Sequence, residues 1–306
     1  MKHVYDMIII GGGPAGYTAA MYGARAGLDV LTVEKMSVGG QMALTDIIDN
    51  YPGFDSGIDG FTLGMNMQKG AERFGAKTKY AEVIATELSG AVKKIKTQKE
   101  ELLARTVVIA TGADPKKLGI EKENSFVGRG VHYCAHCDGR FYKGKTVVVV
   151  GGGNTAAADA LYLSRLAERV ILVHRRDSLR ATKIYHAPLE EAKNIEFIWD
   201  STVSDLLTEE RVVGVRLENL KSGEMFEVNA SGVFVSIGRT PVTGLFDGQL
   251  ELDGGYIKAD ESTKTSIDGV FAVGDVRTKE LRQVVTAVSD GAVAAHFAEE
   301  YLSLLK

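Results

Sequence analysis

The chain is poor in cysteine and proline and has no long apolar run. Its two cysteines among 306 residues exclude a small secreted fold that is held together by disulfides. Its five prolines exclude a proline-rich low-complexity linker. No uncharged apolar segment approaches the roughly 18 residues of a membrane-spanning helix. We find no secretory signal ahead of the first apolar strand, and these features together predict a cytoplasmic protein.

A strong imbalance of charge is also missing. The formal net charge is −4, and a mildly acidic chain is a poor electrostatic match for nucleic acid or for an anionic membrane surface. We therefore expect neither of them as a partner. Hydrophobic residues make up 45% and charged residues 25% of the chain, which is ordinary for a folded globular protein. The length suggests two domains or one large domain.

Glycine is the residue that the chain has in excess, with 35 of 306 positions against a usual share of about 7%. Several of these glycines cluster in short loops that follow apolar segments. The first loop, Gly11–Gly16, lies between a predicted strand at Asp6–Ile10 and a predicted helix at Tyr17–Ala26. A second predicted strand, Asp29–Val33, ends at Glu34. This order is typical of a βαβ unit.

The same order of elements starts again 140 residues later. A predicted strand at Thr146–Val150 leads into the loop Gly151–Ala156 and a predicted helix at Ala157–Leu166. The next predicted strand, Val170–Val173, ends at His174. In both copies the first loop glycine and the residue that ends the second strand are 23 positions apart. This internal repeat predicts two copies of a dinucleotide-binding unit.

Both loops match the glycine fingerprint of dinucleotide binding. In that fingerprint the first glycine makes a tight turn, the second lets a pyrophosphate approach the backbone, and the third allows close packing of helix on strand. A single match is weak because glycine-rich turns join many strands to helices, whereas two matches in the same context are strong. The positions are Gly11, Gly13 and Gly16 in the first loop and Gly151, Gly153 and Ala156 in the second.

The residues that end the second strand of each copy differ in charge. Glu34 can accept hydrogen bonds from an unmodified ribose and would repel a 2′-phosphate, so the first copy favours FAD or NAD. His174 is followed by Arg175, Arg176 and Arg180, and such a cluster attracts a 2′-phosphate, so the second copy favours NADP(H). The alternative for the arginines is an ordinary solvated charge run, which their place at a strand end disfavours.

Both cysteines lie in one motif, in which Cys134 and Cys137 are followed by Asp138. The C-x-x-C spacing lets two sulfurs form a disulfide across one turn and lowers the pKa of one thiol, which favours a redox dithiol. A structural zinc site with His132 and His136 is an alternative, but such sites usually use a second cysteine pair, and we expect no metal. Inert buried cysteines are a further alternative. Asp138 suits either proton transfer or a helix N-cap.

Taken in this order, the glycine loops, the C-x-x-C-D motif and the H-R-R-x-x-x-R run resemble the low-molecular-weight thioredoxin reductases. The resemblance covers essentially the whole chain, and its motifs together are highly specific. They are Gly11–Gly16, Gly39–Gln41, Asn50–Gly53, Ala110–Ala113, Cys134–Asp138, Gly151–Ala156, His174–Arg180, Gly274–Asp275 and Arg282–Gln283.

The resemblance implies an α/β fold with two Rossmann-like dinucleotide-binding domains, in which the NADPH domain is inserted into a discontinuous FAD domain. The first FAD segment is expected at residues 1–112, the NADPH domain with the C-x-x-C motif at 113–241, and the second FAD segment at 242–306. FAD and NADPH are implied as cofactors, the disulfide of thioredoxin as the substrate, and a homodimer as the assembly.

The resemblance also implies which residues bind the cofactors and carry out the chemistry. Cys137 would be the sulfur nearer the flavin, Cys134 the sulfur that attacks the partner disulfide, and Asp138 the acid–base group. The residues implied for FAD are Gly11, Gly13, Ala15, Gly16, Glu34, Gly40, Gln41, Asn50, Val83, Thr111, Gly112, Gly274, Asp275, Arg282 and Gln283. Those implied for NADPH are Gly151, Gly153, Asn154, Thr155, His174, Arg175, Arg176 and Arg180.

One position departs from the family pattern, and other functions stay open. Many relatives carry two consecutive acids after the second loop, whereas here Ala158 precedes Asp159, which affects local details of the NADPH pocket. A related flavoprotein could reduce another protein disulfide or a small-molecule disulfide, and a non-catalytic flavin redox sensor would share the motifs. A ferredoxin-fed relative is disfavoured, because His174–Arg180 provides a site for the nicotinamide nucleotide's phosphate.

Overall fold

The computed structural model describes residues 3–45 and 47–305. The chain divides into two compact units, one made of the residues up to Asp114 and from Thr240 onward, the other of Pro115–Arg239. The chain passes between the units at two crossings, after Asp114 and after Arg239. Each crossing lies two residues away from the expected domain boundary, at 112/113 or at 241/242. Strands and helices are numbered in chain order. The strands at the crossings, β7 (Ala113–Pro115) and β16 (Arg239–Pro241), pair with each other.

The first unit is built on a seven-stranded sheet. Its strands are β1 (Val4–Ile10), β2 (Val30–Glu34), β3 (Lys77–Tyr80), β4 (Val83–Glu87), β5 (Lys93–Thr97), β6 (Glu101–Ile109) and β19 (Val270–Ala272). The order β3-β2-β1-β6 is parallel throughout, and β6 pairs on its other side with antiparallel β5 and parallel β19. The helices are α1 (Pro14–Arg25), α2 (Gly60–Glu72) and α6 (Val284–Leu304), and β17 (Leu252–Asp253) and β18 (Tyr256–Ile257) form a short ribbon.

The second unit has a five-stranded parallel sheet and an antiparallel meander. The parallel strands, in spatial order, are β11 (Ile195–Ile198), β10 (Arg169–Val173), β9 (Thr146–Val150), β15 (Gly232–Val235) and β8 (Val131–His132). The meander consists of β12 (Ser201–Thr208), β13 (Val212–Asn219) and β14 (Met225–Asn229). The helices are α3 (Ala135–Asp138), α4 (Asn154–Ser164) and α5 (His186–Glu191).

The two sheets repeat the same strand order. The order β3-β2-β1-β6 in the first unit corresponds to β11-β10-β9-β15 in the second, which is the arrangement of one half of a Rossmann fold. Parallel sheets are covered on both faces, so their strands read as unbroken apolar runs. Val147, Val148 and Val149 of β9 are fully buried for this reason. The predicted α/β class is confirmed.

The helices after both glycine loops begin three residues earlier than the sequence predicts. Helix α1 starts at Pro14 rather than Tyr17, and α4 starts at Asn154 rather than Ala157. The last loop residues already form the first helical turn, whose N–H groups have no partner within the helix. Proline is favoured there because its ring fixes a helical φ and it lacks an N–H. The last residues of each predicted loop are therefore the N-terminal turn of the helix that follows.

Helix α6 packs closely on α1. A Cβ placed on Gly291 would lie 2.2 Å from the carbonyl oxygen of Ala15, so only glycine permits this approach. The buried face of α6 continues with Ala294, Ala295 and Ala298. Small side chains thus fix the position of the helix that follows the first glycine loop. Within the described residues, no helix is both long and apolar enough to cross a membrane.

Candidate active site and nucleotide-binding loops

The first glycine loop follows β1 and opens α1. Gly11 has φ of +110°, and a Cβ there would lie 2.4 Å from the carbonyl oxygen of Ala110 at the end of β6. A Cβ on Gly16 would lie 2.0 Å from the carbonyl oxygen of Gly11. At Gly13, by contrast, a Cβ would meet nothing within 4 Å. The outer two glycines are therefore needed for packing, whereas the middle one leaves the loop surface open for a ligand.

Glu34 binds the backbone of the first loop. Its Oε2 accepts a hydrogen bond from the N–H of Gly12 at 2.6 Å, and its Oε1 accepts one from the N–H of Met36 at 2.9 Å. A carboxylate has about four lone-pair sites, so two remain for ribose hydroxyls. The two backbone hydrogen bonds thus hold the acid at the loop.

The other residues expected at FAD form pairs within the first unit. Asn50 Nδ2 donates to Gln283 Oε1 at 2.9 Å, although the two are 233 positions apart. Gln41 Nε2 donates to Asp114 Oδ1 at 2.9 Å, and Thr111 donates its hydroxyl to the carbonyl oxygen of Val242 at 2.7 Å. A Cβ on Gly40 would lie 3.4 Å from Gly13 Cα, which places the segment after β2 beside the first loop. Val83 is buried in the apolar cluster that also contains Ile10 and Val33.

The turn at Gly274 and the side chain of Arg282 test whether these residues fit a dinucleotide. A Cβ on Gly274 would lie 3.2 Å from Ala15 Cβ, so the turn that contains Gly274 and Asp275 adjoins the start of α1. The Nε of Arg282 is buried and has no hydrogen-bond partner, while its guanidinium lies 4.3 Å from the centre of the Tyr256 ring. A buried donor without a partner is costly in a folded protein. The open face at Gly13 and this orphaned donor both fit a bound polar ligand such as FAD.

The second glycine loop repeats the geometry of the first. Gly151 has φ of +150°, and a Cβ there would lie 2.4 Å from the carbonyl oxygen of Ser236 at the end of β15. A Cβ on Gly153 would meet nothing within 4 Å. Gly152 lies directly against the His174 ring, with a Cβ 2.3 Å from its Cε1. His174 therefore occupies the same place over its loop as Glu34 does over the first.

His174 is buried, and its Nε2 has no hydrogen-bond partner. Burial lowers the pKa of His174, and the nearby charges of Arg180, Arg175 and Arg176 lower it further. The ring is therefore neutral at physiological pH. Its contact with NADPH stays a prediction, and the ring's visible role is to pack on the loop.

The three arginines are exposed beside this loop. Arg175 and Arg176 follow His174, the first residue after β10. The N–H of Arg180 donates to the carbonyl oxygen of Gly152 at 2.7 Å, and the N–H of Thr182 donates to Asn154 Oδ1 at 2.8 Å. These bonds tie the segment that carries Arg180 to the second loop. Three cations thus lie near one helix N-terminus, which is a favourable site for a phosphate.

The two cysteines are joined as a disulfide across the short helix α3. Cys134 and Cys137 are bonded, with their Cα atoms 5.3 Å apart. The N–H of Asp138 donates to the carbonyl oxygen of Cys134 at 3.1 Å, which closes the helical turn. A Cβ on Gly139 would lie 2.9 Å from Leu163 Cδ2 of α4, so the turn packs closely on the helix of the second loop. The sequence did not predict this helix.

Two aspartates face the histidines of the C-x-x-C segment. Asp138 Oδ2 lies 3.0 Å from His132 Nδ1. Asp159 Oδ1 lies 4.0 Å from His136 Nδ1, and Asp159 Oδ2 accepts the hydroxyl of Ser236 at 2.6 Å. Burial raises the pKa of Asp159. The single acid that remains beside Ala158 therefore belongs to the surroundings of the disulfide.

A buried acid, Glu123, holds the residue before Cys134. The Tyr133 hydroxyl donates to Glu123 Oε1 at 2.8 Å, and the same carboxylate accepts the N–H groups of Leu118 and Gly119. Burial raises the pKa of Tyr133, and Glu123 raises it further. In the part of the chain that the structure describes, no three His, Cys, Asp or Glu side chains gather as ligands for a metal ion.

The sequence and the fold match known proteins over essentially the whole chain. Residues 5–291 match the family described as pyridine nucleotide-disulphide oxidoreductase. A thioredoxin reductase of Treponema pallidum is 44% identical over all of both chains, and one of Bacillus subtilis is 44% identical over 100% of this chain and 98% of its own. The chain belongs to the thioredoxin reductase family. The crystal structure of a thioredoxin reductase from Streptococcus pyogenes, 43% identical, covers 99% of this chain with 100% of its own and has a TM-score of 0.92.

Membership in the thioredoxin reductase family confirms the expected family and the expected pair of Rossmann-like domains. The individual cofactor contacts stay predictions. Two residues that sequence reasoning missed are now visible in the site. Asp290 accepts a hydrogen bond from the N–H of Gly274 at 2.8 Å. The Tyr142 hydroxyl oxygen lies 2.6 Å from His132 Nε2. The only sequence signal for Asp290 was an isolated acid in an alanine-rich helix, and Tyr142 gave none.

Proposed function

We propose that the protein reduces the disulfide of thioredoxin with NADPH, using FAD and the Cys134–Cys137 pair. The proposal is carried by two glycine loops that have residues of opposite charge beside them. The same chain also holds a C-x-x-C disulfide. Glu34 lies over the first loop and the three arginines lie beside the second. The names of the relatives support thioredoxin as the partner.

The first unit would hold FAD. Glu34 would accept the ribose hydroxyls, the N-terminus of α1 at Gly13 would bind the pyrophosphate, and Arg282 would donate its free Nε. When bound, FAD accepts a two-electron hydride from a nicotinamide and passes electrons to sulfur, which a nicotinamide alone does not readily do.

The second unit would hold NADPH and the disulfide. Arg175, Arg176 and Arg180 would bind the 2′-phosphate, and the open backbone at Gly153 would bind the pyrophosphate. Cys134 would attack the thioredoxin disulfide, and Asp138 would supply or accept the proton. One turnover converts NADPH, one proton and a protein disulfide into NADP⁺ and a dithiol.

A cytoplasmic location and a homodimer belong to this proposal as expectations from the resemblance. Reduction of a different disulfide is the alternative, since the same relay would serve any acceptor that reaches Cys134. A flavin redox sensor would share both nucleotide loops but would not turn over.

The test is steady-state NADPH oxidation by the FAD-loaded protein with several acceptors. Reduced thioredoxin should form at one equivalent per NADPH, with a higher kcat/KM than for glutathione disulfide or an oxidised peroxiredoxin. A preference for one of the other acceptors would overturn thioredoxin as the substrate. Lack of turnover with all three, while NADPH still bleaches the flavin, would favour the sensor.

A further inference from the structure

His132 is a buried histidine with both ring nitrogens engaged. Its Nδ1 lies 3.0 Å from Asp138 Oδ2, and its Nε2 lies 2.6 Å from the Tyr142 hydroxyl. Its ring stacks on Phe234 with centroids 5.2 Å apart and an angle of 26°. The backbone is fixed as well, because His132 pairs with Phe234 between β8 and β15. These contacts leave the ring one orientation.

Titratable groups face this ring through both of its nitrogens. Asp138 faces it from α3 through Nδ1. Tyr142 faces it through Nε2, and burial raises the pKa of Tyr142, which a hydrogen bond from Arg211 and its charge oppose. Lys145 Nζ lies 5.6 Å from the centre of the Tyr142 ring. Asp138, His132 and Tyr142 therefore contact one another in that order, and Tyr142 lies near the cations Arg211 and Lys145.

The two neighbours of His132 select its tautomer. Once Asp138 has released its proton, its carboxylate can only accept, so Nδ1 must carry a proton and donate it to the carboxylate. In the neutral ring Nε2 is then an acceptor, and the Tyr142 hydroxyl donates to it. The tyrosine thus keeps the proton on the nitrogen that faces Asp138.

The proton balance of the reaction gives this arrangement a use. Reduction of a disulfide to a dithiol takes two electrons and two protons. The hydride of NADPH supplies two electrons and one proton, so the second proton must come from solvent. In the proposed function Asp138 delivers that proton to a departing thiolate and is left charged until water reprotonates it.

We propose that His132 is a positioning residue for Asp138, with its tautomer fixed by Tyr142. The Nδ1–H bond holds the carboxylate in one orientation and stabilises the charge that remains after Asp138 has released its proton. This inference rests on the proposed function, because it requires Asp138 to act as the acid–base group.

The test compares His132→Phe with His132→Asn. The Phe variant keeps a ring that can stack on Phe234 but has no nitrogen, whereas the Asn variant loses the ring and keeps an N–H near the place of Nδ1. We measure kcat and KM for thioredoxin across a range of pH. We also measure the rate at which NADPH bleaches the bound flavin, a step that does not need Asp138.

With His132→Phe, kcat should fall about tenfold, as is typical when a supporting hydrogen bond to a functional side chain is lost. The alkaline limb of its pH profile, along which a general acid is deprotonated, should move to higher pH because the charged carboxylate has lost a donor. The KM for thioredoxin and the flavin bleaching should not change. His132→Asn should recover most of kcat and the original profile. A purely structural histidine would give the reverse order, with Phe tolerated and Asn impaired, and that result would overturn the inference.

Tyr142→Phe provides a second variant that keeps the ring and its packing. It should lower kcat less than His132→Phe and move the alkaline limb in the same direction; an unchanged profile would contradict the tautomer argument. Asp138→Asn separates this inference from the proposed function. Normal thioredoxin turnover in Asp138→Asn would refute the acid–base role itself. An inactive Asp138→Asn together with a fully normal His132→Phe would refute only the role of His132.

Discussion

The ring of His174 covers Gly152 so closely that a Cβ on the glycine would lie 2.3 Å from the ring. Glu34 has the same relation to Gly12, which donates its N–H to the carboxylate at 2.6 Å. The chain therefore uses one backbone arrangement twice and changes the side chain that covers the loop. A carboxylate there suits an unmodified ribose, and a neutral histidine followed by arginines suits a ribose phosphate.

Gly152→Ala should damage the second loop because the new methyl group cannot fit beside His174. We expect a loss of stability of about 1–3 kcal/mol, as for overpacking in a core, together with weaker NADPH binding. Gly153→Ala is the matched control, since its Cβ would meet nothing within 4 Å. It should leave thermal unfolding unchanged and weaken only NADPH binding. Equal melting temperatures for the two variants would contradict the close contact with His174.

Replacing Arg175 and Arg176 with Ala should weaken NADPH selectively. A hydrogen bond to a charged group contributes roughly 1.5–3 kcal/mol, and because both side chains are exposed we expect the low end, about tenfold in KM for each. The KM for NADH should hardly change. Arg165→Ala is the control, because this exposed arginine lies at the opposite end of α4 from the loop. Equal losses for NADPH and NADH would mean that the arginines serve structure rather than phosphate recognition.

Cys134→Ser and Cys137→Ser should each abolish thioredoxin reduction. The chain has no other cysteine that could substitute, and a single thiol cannot close the disulfide that completes the cycle. NADPH should still bleach the flavin in both variants, since that step does not use sulfur. Stopped-flow absorbance measures the bleaching of the flavin, and a thiol assay measures the reduced thioredoxin that is formed. Near-normal thioredoxin turnover in either variant would show that the pair is not the relay.

Asp290→Asn should weaken both the fold and FAD binding in the first unit. Asp290 accepts bonds from Gly274 N at 2.8 Å, Arg277 Nε at 2.9 Å and Lys279 Nζ at 2.8 Å. Removing the acid from this buried cluster leaves Lys279 without its carboxylate and Arg277 with only the exposed Glu261, at a cost of about 3–5 kcal/mol. Glu123→Gln, another buried acid that holds a turn, is the control. It should lower stability without changing the shift in melting temperature that FAD produces.

The same cluster predicts a dependence of stability on pH. Although burial acts in the opposite direction, the bonds from Arg277 and Lys279 hold the pKa of Asp290 below its ordinary value. A carboxyl group with a lowered pKa stabilises the fold fully above the unfolded value of about 3.9, and this contribution is lost as the pH falls through the folded value. The wild-type protein should therefore lose more stability than Asp290→Asn between neutral pH and about pH 3. An equal loss of thermal stability for the wild-type protein and Asp290→Asn over this pH range would refute this expectation.

Local patterns in the sequence were sufficient for much of the site. Each of these motifs is short in the sequence: the glycine loops and the C-x-x-C pair span a few residues each, and Glu34 and the arginines lie where the second strand of each copy ends. Their geometry is set by a single turn or a single strand end, so spacing alone predicts it. Helix starts were misplaced by three residues, because the first turn of a helix has no side-chain period that distinguishes it from a loop.

Contacts between residues far apart in the chain could not be predicted in this way. Asn50 and Gln283 are 233 positions apart and share a hydrogen bond. Asp290 reaches Gly274 because α6 packs on α1 through Gly291. His132 is close to Asp138 in sequence, yet only the pairing of β8 with β15 and the stack on Phe234 direct its ring to that carboxylate.

The sequence by itself predicted two dinucleotide sites of different charge and one redox-active cysteine pair, because those features depend on residue type and local spacing. The tertiary structure alone decided which side chains support them. Orientation of a buried ring or carboxylate depends on packing from several elements at once, and on the need of every buried polar atom for a partner.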